Sequence, residues 1–234
     1  MTLKEELEAF CSTTFREAWD TREGRVVPND DSLPLKNVGV KFDEATVLYA
    51  DLTDSTGLVS GKLDAFAAEV YKTYLYCSTR IIRSHGGTIT AYDGDRVMAV
   101  FLGDSKNSDA VKAALQIEAA ASQIIQPALK SVYTDSTYRV LQKVGVDTSS
   151  LLVAKTGARG ANDLVWVGNA ANHAAKLATL AHGYSTYIGE SVYGRLRGDV
   201  KYKDPATQAT NMWVDLGTSE FGFRVYGSGY RWNL

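Results

Sequence analysis

Residues 46–51, Thr46-Val47-Leu48-Tyr49-Ala50-Asp51, form a short apolar and β-branched run that ends at an acidic side chain. This composition predicts a buried strand with Asp51 at its end. Between residues 63 and 81, apolar side chains recur every three or four positions, which predicts an amphipathic helix. Gly86-Gly87 stops that pattern as helix C-caps do. A strand and a long helix therefore begin the core.

The segment after this helix predicts a β-hairpin, because residues 88–92 and 96–102 are β-prone and flank Asp93-Gly94, a dipeptide favoured in tight turns. Later patterns predict, in order, a helix from Ser108 to near Pro127, a strand pair formed by residues 138–146 and 151–155, an Ala-rich helix over residues 169–181, and short strands containing Tyr187-Ile188 and residues 223–225. The order of these elements predicts an α+β domain with a ferredoxin-like centre, in which helices flank an antiparallel sheet.

The first 42 residues differ from the rest of the chain. Apolar residues at helical spacing from Leu3 to Trp19 predict a helix, and the proline- and glycine-containing stretch after it predicts an arm. We therefore divide the chain into an N-terminal helix and arm, residues 1–42, and a main domain, residues 43–234.

Composition excludes several classes of protein. The 234 residues include 25 Lys and Arg and 27 Asp and Glu. The protein therefore has no overall positive charge that would attract nucleic acid. Cys11 and Cys77 are too few for a disulfide framework or a four-cysteine zinc site. The first residues lack the apolar stretch of a signal peptide, and the longest apolar run, residues 97–102, is far shorter than the ~20 residues that span a bilayer. We expect a cytoplasmic protein without direct membrane insertion.

Two acidic residues stand out by position. Asp51 ends a predicted strand and Asp95 follows a predicted turn, and in a ferredoxin-like sheet these two elements are able to lie side by side. Close carboxylates repel each other, and a hard divalent cation relieves that repulsion while it leaves positions open for phosphate oxygens. The alternative is that both are ordinary turn residues.

The stretch after Asp51 is small and polar. Its backbone N–H groups, at the start of the predicted helix, are suited to an anion such as phosphate. The alternative is ordinary helix capping by the same side chains. The residues that we assign to this phosphate-binding stretch are Thr53, Asp54, Ser55 and Thr56.

Five segments follow a known pattern in order and spacing: residues 49–56, 85–87, 94–101, 144–147 and 168–177. Together they resemble the catalytic domain of the class III nucleotidyl cyclases, over residues 47–190. Within that family the sequence is most similar to the bacterial pyrimidine cyclases of Pycsar anti-phage systems. The resemblance implies a head-to-tail homodimer whose two active sites each combine residues of both subunits.

The resemblance also implies roles for individual residues. Asp51 and Asp95, with the Leu52 carbonyl, match the ligands of two divalent cations, Mn²⁺ or Mg²⁺. Asn172 matches the residue that orients the ribose. Lys176 stands where the family has an arginine that stabilises the reacting phosphorus; it keeps the charge but lacks the planar fork. The alternative for Lys176 is a solvated helix flank.

Base recognition departs from the purine cyclases. Ala91 and Val165 stand where those enzymes place side chains that bind the base, so a purine would leave polar edges unpaired. Tyr49 matches a position that lines the base pocket, and strand alternation places it on the same face as Asp51. Trp166 offers a backbone contact or a stacking face to the base, or else it is core. The same alternation turns Arg96 away from Asp95, and we expect it to meet a dimer partner.

The sequence thus predicts an enzyme that converts UTP to 3′,5′-cyclic UMP and pyrophosphate. By resemblance, the product is an anti-phage signal that a separate cyclic-nucleotide-sensing effector detects. Three alternatives stay open: a cytidylate cyclase, a purine cyclase that recognises its base through backbone groups, and a degenerate cyclase fold that only binds nucleotide and dimerises.

Overall fold

A computed structural model of the chain describes residues 1–53, 58 and 64–234. These residues form two compact units. The smaller unit comprises residues 1–43 and 150–168, and the main unit comprises residues 44–149 and 169–234. The boundary that we predict between residues 42 and 43 stays a prediction.

Helices and strands are interspersed along the chain. They are α1 (Leu3–Arg16), β1 (Asp20–Glu23), β2 (Val38–Leu52), α2 (Asp64–Ser84), β3 (Thr88–Asp93), β4 (Arg96–Phe101), α3 (Lys106–Ala120), a π-helical turn (Ala121–Ile125), α4 (Gln126–Val132), β5 (Gln142–Ala158), β6 (Ala161–Val167), α5 (Asn169–Leu177), β7 (Thr186–Gly189), α6 (Glu190–Tyr193), α7 (Gly198–Lys201), β8 (Val214–Thr218) and β9 (Arg224–Ser228).

The strands of the main unit lie in the order β3-β4-β2-β5-β7-β9-β8. Strand β4 pairs antiparallel with both β2 and β3, and β7 pairs parallel with β5. The chain order β2-α2-β3-β4-α3-β5 together with the spatial order β3-β4-β2-β5 is the ferredoxin-like arrangement. The predicted α+β fold with a ferredoxin-like centre is therefore confirmed.

The core of the main unit lies between this sheet and its helices. Leu48 and Ala50 of β2, with Val97 and Ala99 of β4, are fully buried against apolar residues of α2 and α3. Because side chains alternate along a strand, the residues between them, including Tyr49, point to the other face. The helices thus cover one face of the sheet, whereas Tyr49 and Asp51 lie on the other face, near the end of β2.

The predicted strand pair over residues 138–146 and 151–155 is wrong. One continuous strand, β5, runs from Gln142 to Ala158, and its antiparallel partner is β6. The turn lies at Gly160, which has a φ of +85°, because residues 147–150 contain neither glycine nor proline to reverse the chain.

The predicted helix end at Pro127 is also wrong. A helical path continues from α3 through the π-helical turn into α4, which ends at Val132. Pro127 lies in the first turn of α4, where its missing N–H is tolerated.

In the smaller unit, β1 pairs parallel with the first part of β2 and β6 pairs with the last part of β5. Asn37 Nδ2 donates to the carbonyls of Thr14 and Glu17, which satisfies acceptors at the end of α1. Among the described residues, no helix is long and apolar enough to cross a membrane.

Candidate active site

Strand register sets the position of the two carboxylates. Ala50 of β2 pairs with Val97 of β4, so Asp51 lies opposite Arg96, the first residue of β4. Asp95 lies one residue earlier, in the two-residue loop between β3 and β4. The structure therefore brings Asp51 and Asp95 to the same end of two neighbouring strands.

The carboxylate of Asp51 is largely buried. Its side chain is 16% exposed, and burial raises its pKa, with the nearby negative charge of Asp95 adding to the rise. Arg96 and Lys143 oppose this shift. Because burial is the largest cause, ionised Asp51 is held at a net electrostatic cost that additional positive charge would relieve.

Asp95 has an unused acceptor. Its Oδ2 atom is buried and has no hydrogen-bond partner within residues 1–53, 58 and 64–234. Hard oxygen donors such as carboxylates are the ligands that Mg²⁺ and Mn²⁺ prefer. Asp51 and Asp95 thus fit a divalent cation, although the described residues contain no group of three or more acidic, histidine or cysteine side chains suited to a metal. Water and substrate oxygens would complete such a site.

Arg96 contacts Asp51, so the expectation that it points away from the predicted cation ligands is wrong, whereas its contact with a dimer partner stays a prediction. Its Nε atom lies 3.1 Å from Asp51 Oδ2. Alternation relates neighbours along one strand only, whereas residues directly opposite each other on paired strands point to the same face. The signal that would have found this pair is the register of β2 against β4.

The predicted phosphate-binding stretch lies mostly outside the described residues, which omit Asp54, Ser55 and Thr56. Thr53 is described, and its backbone N–H donates to the Leu141 carbonyl at 2.8 Å. That amide is therefore engaged within the protein, and a phosphate contact by Thr53 would have to use its side chain. Leu52, whose carbonyl we assign to a cation, is a buried residue of β2.

Two of the predicted base-pocket residues share one row of the sheet. Tyr49 of β2 pairs with Met98 of β4, and Met98 pairs with Ala91 of β3. Opposite residues share a face, so the Tyr49 ring, the Met98 thioether and the Ala91 methyl line the same surface. Because Tyr49 is two residues before Asp51, this row lies beside the carboxylates.

Tyr49 is half-buried, and burial raises the pKa of its hydroxyl. Arg96 lowers this pKa and Asp93 raises it, so both charges act on the phenol. The hydroxyl therefore stays protonated at neutral pH and is available as a hydrogen-bond donor.

Val165 and Trp166 belong to β6 in the smaller unit. Val165 is partly exposed, whereas Trp166 is buried and stacks on Phe42 with ring centroids 6.4 Å apart. The Trp166 ring thus contributes to packing within its own unit, which matches the core alternative for this residue better than a stacking face for a base.

Asn172 and Lys176 lie one turn apart on α5, and both are exposed. The Lys176 ammonium lies 5.4 Å from the centroid of the Phe221 ring. In the part of the chain that the structure describes, neither side chain forms a hydrogen bond or an ion pair with Asp51 or Asp95. The residues predicted to contact the ribose and the phosphorus thus belong to α5, whereas the predicted cation ligands belong to β2 and to the loop between β3 and β4.

Sequence reasoning missed two polar groups. Tyr74 of α2 is fully buried, and burial raises the pKa of its hydroxyl well above the ordinary value, with Asp51 and Asp95 adding to the rise. His173 of α5 contacts Asp147 at 2.7 Å, although no spacing of acids in the sequence marks this histidine. Only packing between distant segments reveals either group.

Comparison with known proteins places the chain in a family, although no protein-family model matches it. A uridylate cyclase from Xanthomonas perforans is 50% identical over 236 aligned positions, which cover 100% of both chains. A uridylate cyclase from Burkholderia cepacia is 45% identical over 236 positions, again covering 100% of both.

Solved structures share the fold. A guanylate cyclase domain from Catenaria anguillulae, in complex with GTP, has a TM-score of 0.65 at 17% identity and covers 82% of this chain and 99% of that one. An adenylyl cyclase from P. aeruginosa has a TM-score of 0.64 at 18% identity and covers 81% and 95%. With sequence identity to the uridylate cyclases along the whole chain and the fold of class III cyclase domains, the protein is a nucleotide cyclase that belongs to the uridylate cyclase family.

Proposed function

We propose that the chain converts UTP to 3′,5′-cyclic UMP and pyrophosphate. The ribose 3′-oxygen forms a bond to the α-phosphorus, the bond from that phosphorus to the bridging oxygen of the β-phosphate breaks, and the 3′-hydroxyl proton is released. The observation that carries this proposal is the identity of 50% and 45%, over entire chains, to two proteins named uridylate cyclase.

Asp51 and Asp95 would hold divalent cations, with the Leu52 carbonyl as a further ligand. Divalent cations at such a site lower the pKa of the 3′-hydroxyl and neutralise the triphosphate. The raised pKa of Asp51 and the unpartnered Oδ2 of Asp95 support this role, because both are carboxylates that gain from added positive charge.

Tyr49 would recognise the base. Its hydroxyl is half-buried in the row that also contains Met98 and Ala91, and neither of those neighbours offers a side-chain hydrogen bond to a purine edge. A pyrimidine has fewer polar edge groups to satisfy, and a single phenol hydroxyl is able to pair with one of them. The same chemistry admits CTP as a weaker substrate.

Two chains would complete each site. Asn172 would orient the ribose and Lys176 would stabilise charge on the phosphorus, and the described contacts of this chain do not join them to Asp51 or Asp95. A head-to-tail homodimer supplies one set of residues from each subunit at each of two sites. A monomer would be inactive.

Cyclic UMP would act as a signal within an anti-phage system, detected by a separate effector with a cyclic-nucleotide-binding module. This part of the proposal rests on the resemblance to the Pycsar cyclases. It predicts that cyclic UMP accumulates after phage infection in cells that carry the active chain, and not in cells that carry the Asp51→Asn variant.

The decisive experiment incubates the purified protein with ATP, GTP, CTP and UTP separately, with Mn²⁺ or Mg²⁺, and identifies the products by mass spectrometry. Cyclic UMP as the main product supports the proposal. A predominance of cyclic AMP or cyclic GMP would overturn the pyrimidine assignment, and no cyclic product under any condition would favour the degenerate binding module.

A further inference from the structure

A buried carboxylate outside the proposed cation site connects three elements of the main unit. Asp147 of β5 is 3% exposed, and its Oδ2 lies 2.7 Å from Nδ1 of His173 on α5. The Ser191 hydroxyl of α6 donates to the other oxygen, Oδ1. A buried carboxylate is costly without donors, and these two hydrogen bonds compensate for its desolvation.

The surroundings of Asp147 are shaped for this arrangement. A Cβ at Gly189 would lie 2.5 Å from Asp147 Oδ1, so only glycine leaves room for the carboxylate there. The His173 ring also stacks on Phe223 with centroids 3.9 Å apart and an interplanar angle of 17°. The imidazole is therefore fixed both at its edge and on its face.

Strand β5 makes further contacts with α5. The backbone N–H of Ala170 donates to the Ser149 hydroxyl at 2.8 Å, and a Cβ at Gly145 would lie 2.1 Å from the Ala174 carbonyl. Helix α5 has only nine residues, a length at which a helix depends on tertiary contacts. Residues 145–149 of β5 thus set both the position and the rotation of α5.

Asn172 and Lys176 protrude from this short helix, and His173 follows Asn172 directly. We propose that Asp147 and His173 are positioning residues that hold α5 so that Asn172 and Lys176 meet the ribose and the reacting phosphate. This inference rests on the proposed function. A displacement of reacting groups by about 1 Å lowers the rate by about 100-fold. Loss of the His173 contact would therefore reduce turnover without removing any group that touches the substrate.

The test compares three variants. His173→Phe keeps a flat ring against Phe223 but removes the Nδ1 donor, and His173→Asn places an amide donor near the same position. Ser191→Ala is the matched control, because it removes the other hydrogen bond to Asp147 and leaves α5 untouched. Steady-state kinetics with the preferred nucleotide and hydrogen–deuterium exchange of residues 169–177 are measured for each.

We expect His173→Phe to lower kcat at least about 10-fold with KM changed less than about 3-fold, and to speed exchange in α5. His173→Asn should recover part of kcat, and Ser191→Ala should stay within about 3-fold of wild type. Equal losses in His173→Phe and Ser191→Ala, or unchanged exchange in α5, would overturn the positioning role.

The two proposals fail separately. If the wild-type protein cyclises no nucleotide, the proposed function fails, whereas the exchange measurement still decides whether His173 orders α5. If the wild type is active and His173→Phe is equally active, only the positioning role fails. Circular dichroism checks that each variant is folded. If His173→Phe unfolds, Asp147→Asn replaces it in the comparison, because this change preserves side-chain volume.

Discussion

Arg96 and Asp51 form an ion pair across neighbouring strands, with Nε of the guanidinium 3.1 Å from Oδ2 of the carboxylate. The guanidinium thereby neutralises one of the two carboxylates that we propose as cation ligands. Arg96 is about half exposed, so its side chain is able to leave without breaking the core. A cation and Arg96 would therefore compete for the same carboxylate.

Arg96→Gln should tighten the binding of Mn²⁺ in the absence of nucleotide, by about 10-fold, because it removes a like charge from the neighbourhood of the cation. Binding is measured by calorimetry or by the paramagnetic resonance signal of free Mn²⁺. Arg96→Lys retains the charge and serves as the control, with affinity within about 3-fold of wild type. Weaker Mn²⁺ binding in Arg96→Gln would mean that Arg96 supports the site instead of competing for it.

Asp51→Asn and Asp95→Asn should each lower kcat/KM by about 100-fold or more, since each removes a charge proposed to hold the cations while side-chain volume is kept. Asp93→Asn is the control, because Asp93 is an exposed acid of the same hairpin. A chelator should abolish wild-type activity. A well-folded Asp95→Asn protein with more than about a tenth of wild-type activity would contradict the two-carboxylate site.

Asp51→Asn should also raise the melting temperature of the cation-free protein at pH 7.5. Burial raises the pKa of Asp51, so the folded state binds its proton more tightly than the unfolded state does, and ionisation of Asp51 above that pKa costs stability. The cost shrinks as pH falls through the raised pKa and vanishes below the unfolded pKa, where the two proteins should melt at the same temperature. We expect a difference of about 2 °C by calorimetry with chelator present.

Glu44→Gln should show the opposite sign. A hydrogen bond from Lys106, whose Nζ lies 2.7 Å from Glu44 Oε2, lowers the pKa of Glu44. Ionised Glu44 thus stabilises the fold above its unfolded pKa, and this contribution is lost as pH falls through the lowered value. The variant should melt below wild type at pH 7.5, with the gap closing in acid; a higher melting temperature would contradict this assignment.

Mixing Asp51→Asn with Asn172→Ala should restore activity if each site uses two chains. Random exchange of subunits makes half of the dimers mixed, and each mixed dimer has one intact site, so recovery should approach about a quarter of wild type. Mixing Asp51→Asn with Asp95→Asn is the control, since both changes fall on the same half of a site. Equal behaviour of the two mixtures, with subunit exchange verified by a tag, would show that each chain holds its own complete site.

Tyr49→Phe should reduce the preference for UTP over ATP by about 10-fold in kcat/KM, the value of about one hydrogen bond. The loss should appear with UTP and not with ATP, because the change deletes a contact to the base and leaves Asp51 in place. Tyr76→Phe, at an exposed tyrosine of α2, is the control. Competition assays with mixed nucleotides measure the ratio; an unchanged ratio would exclude the Tyr49 hydroxyl from base recognition.

Local patterns in the amino-acid sequence are sufficient to predict the order of the main elements and the family. Residue periodicity was enough for the first strand, the long helix and the hairpin, because apolar side chains must face one core. Periodicity of two also placed Tyr49 and Asp51 on one face of a strand. Periodicity is not sufficient for β5, because the pattern predicts two short strands where the structure has one strand longer than the usual five or six residues.

The contacts between polar side chains depend on how distant elements pack together. The pairing of Arg96 with Asp51 depends on the register between β2 and β4. A shift of one residue would place the two side chains on opposite faces of the sheet. The contact between His173 and Asp147 joins positions 26 residues apart through the packing of α5 on β5. Such contacts depend on distances between separate elements, and local sequence carries information only about the conformation of each element.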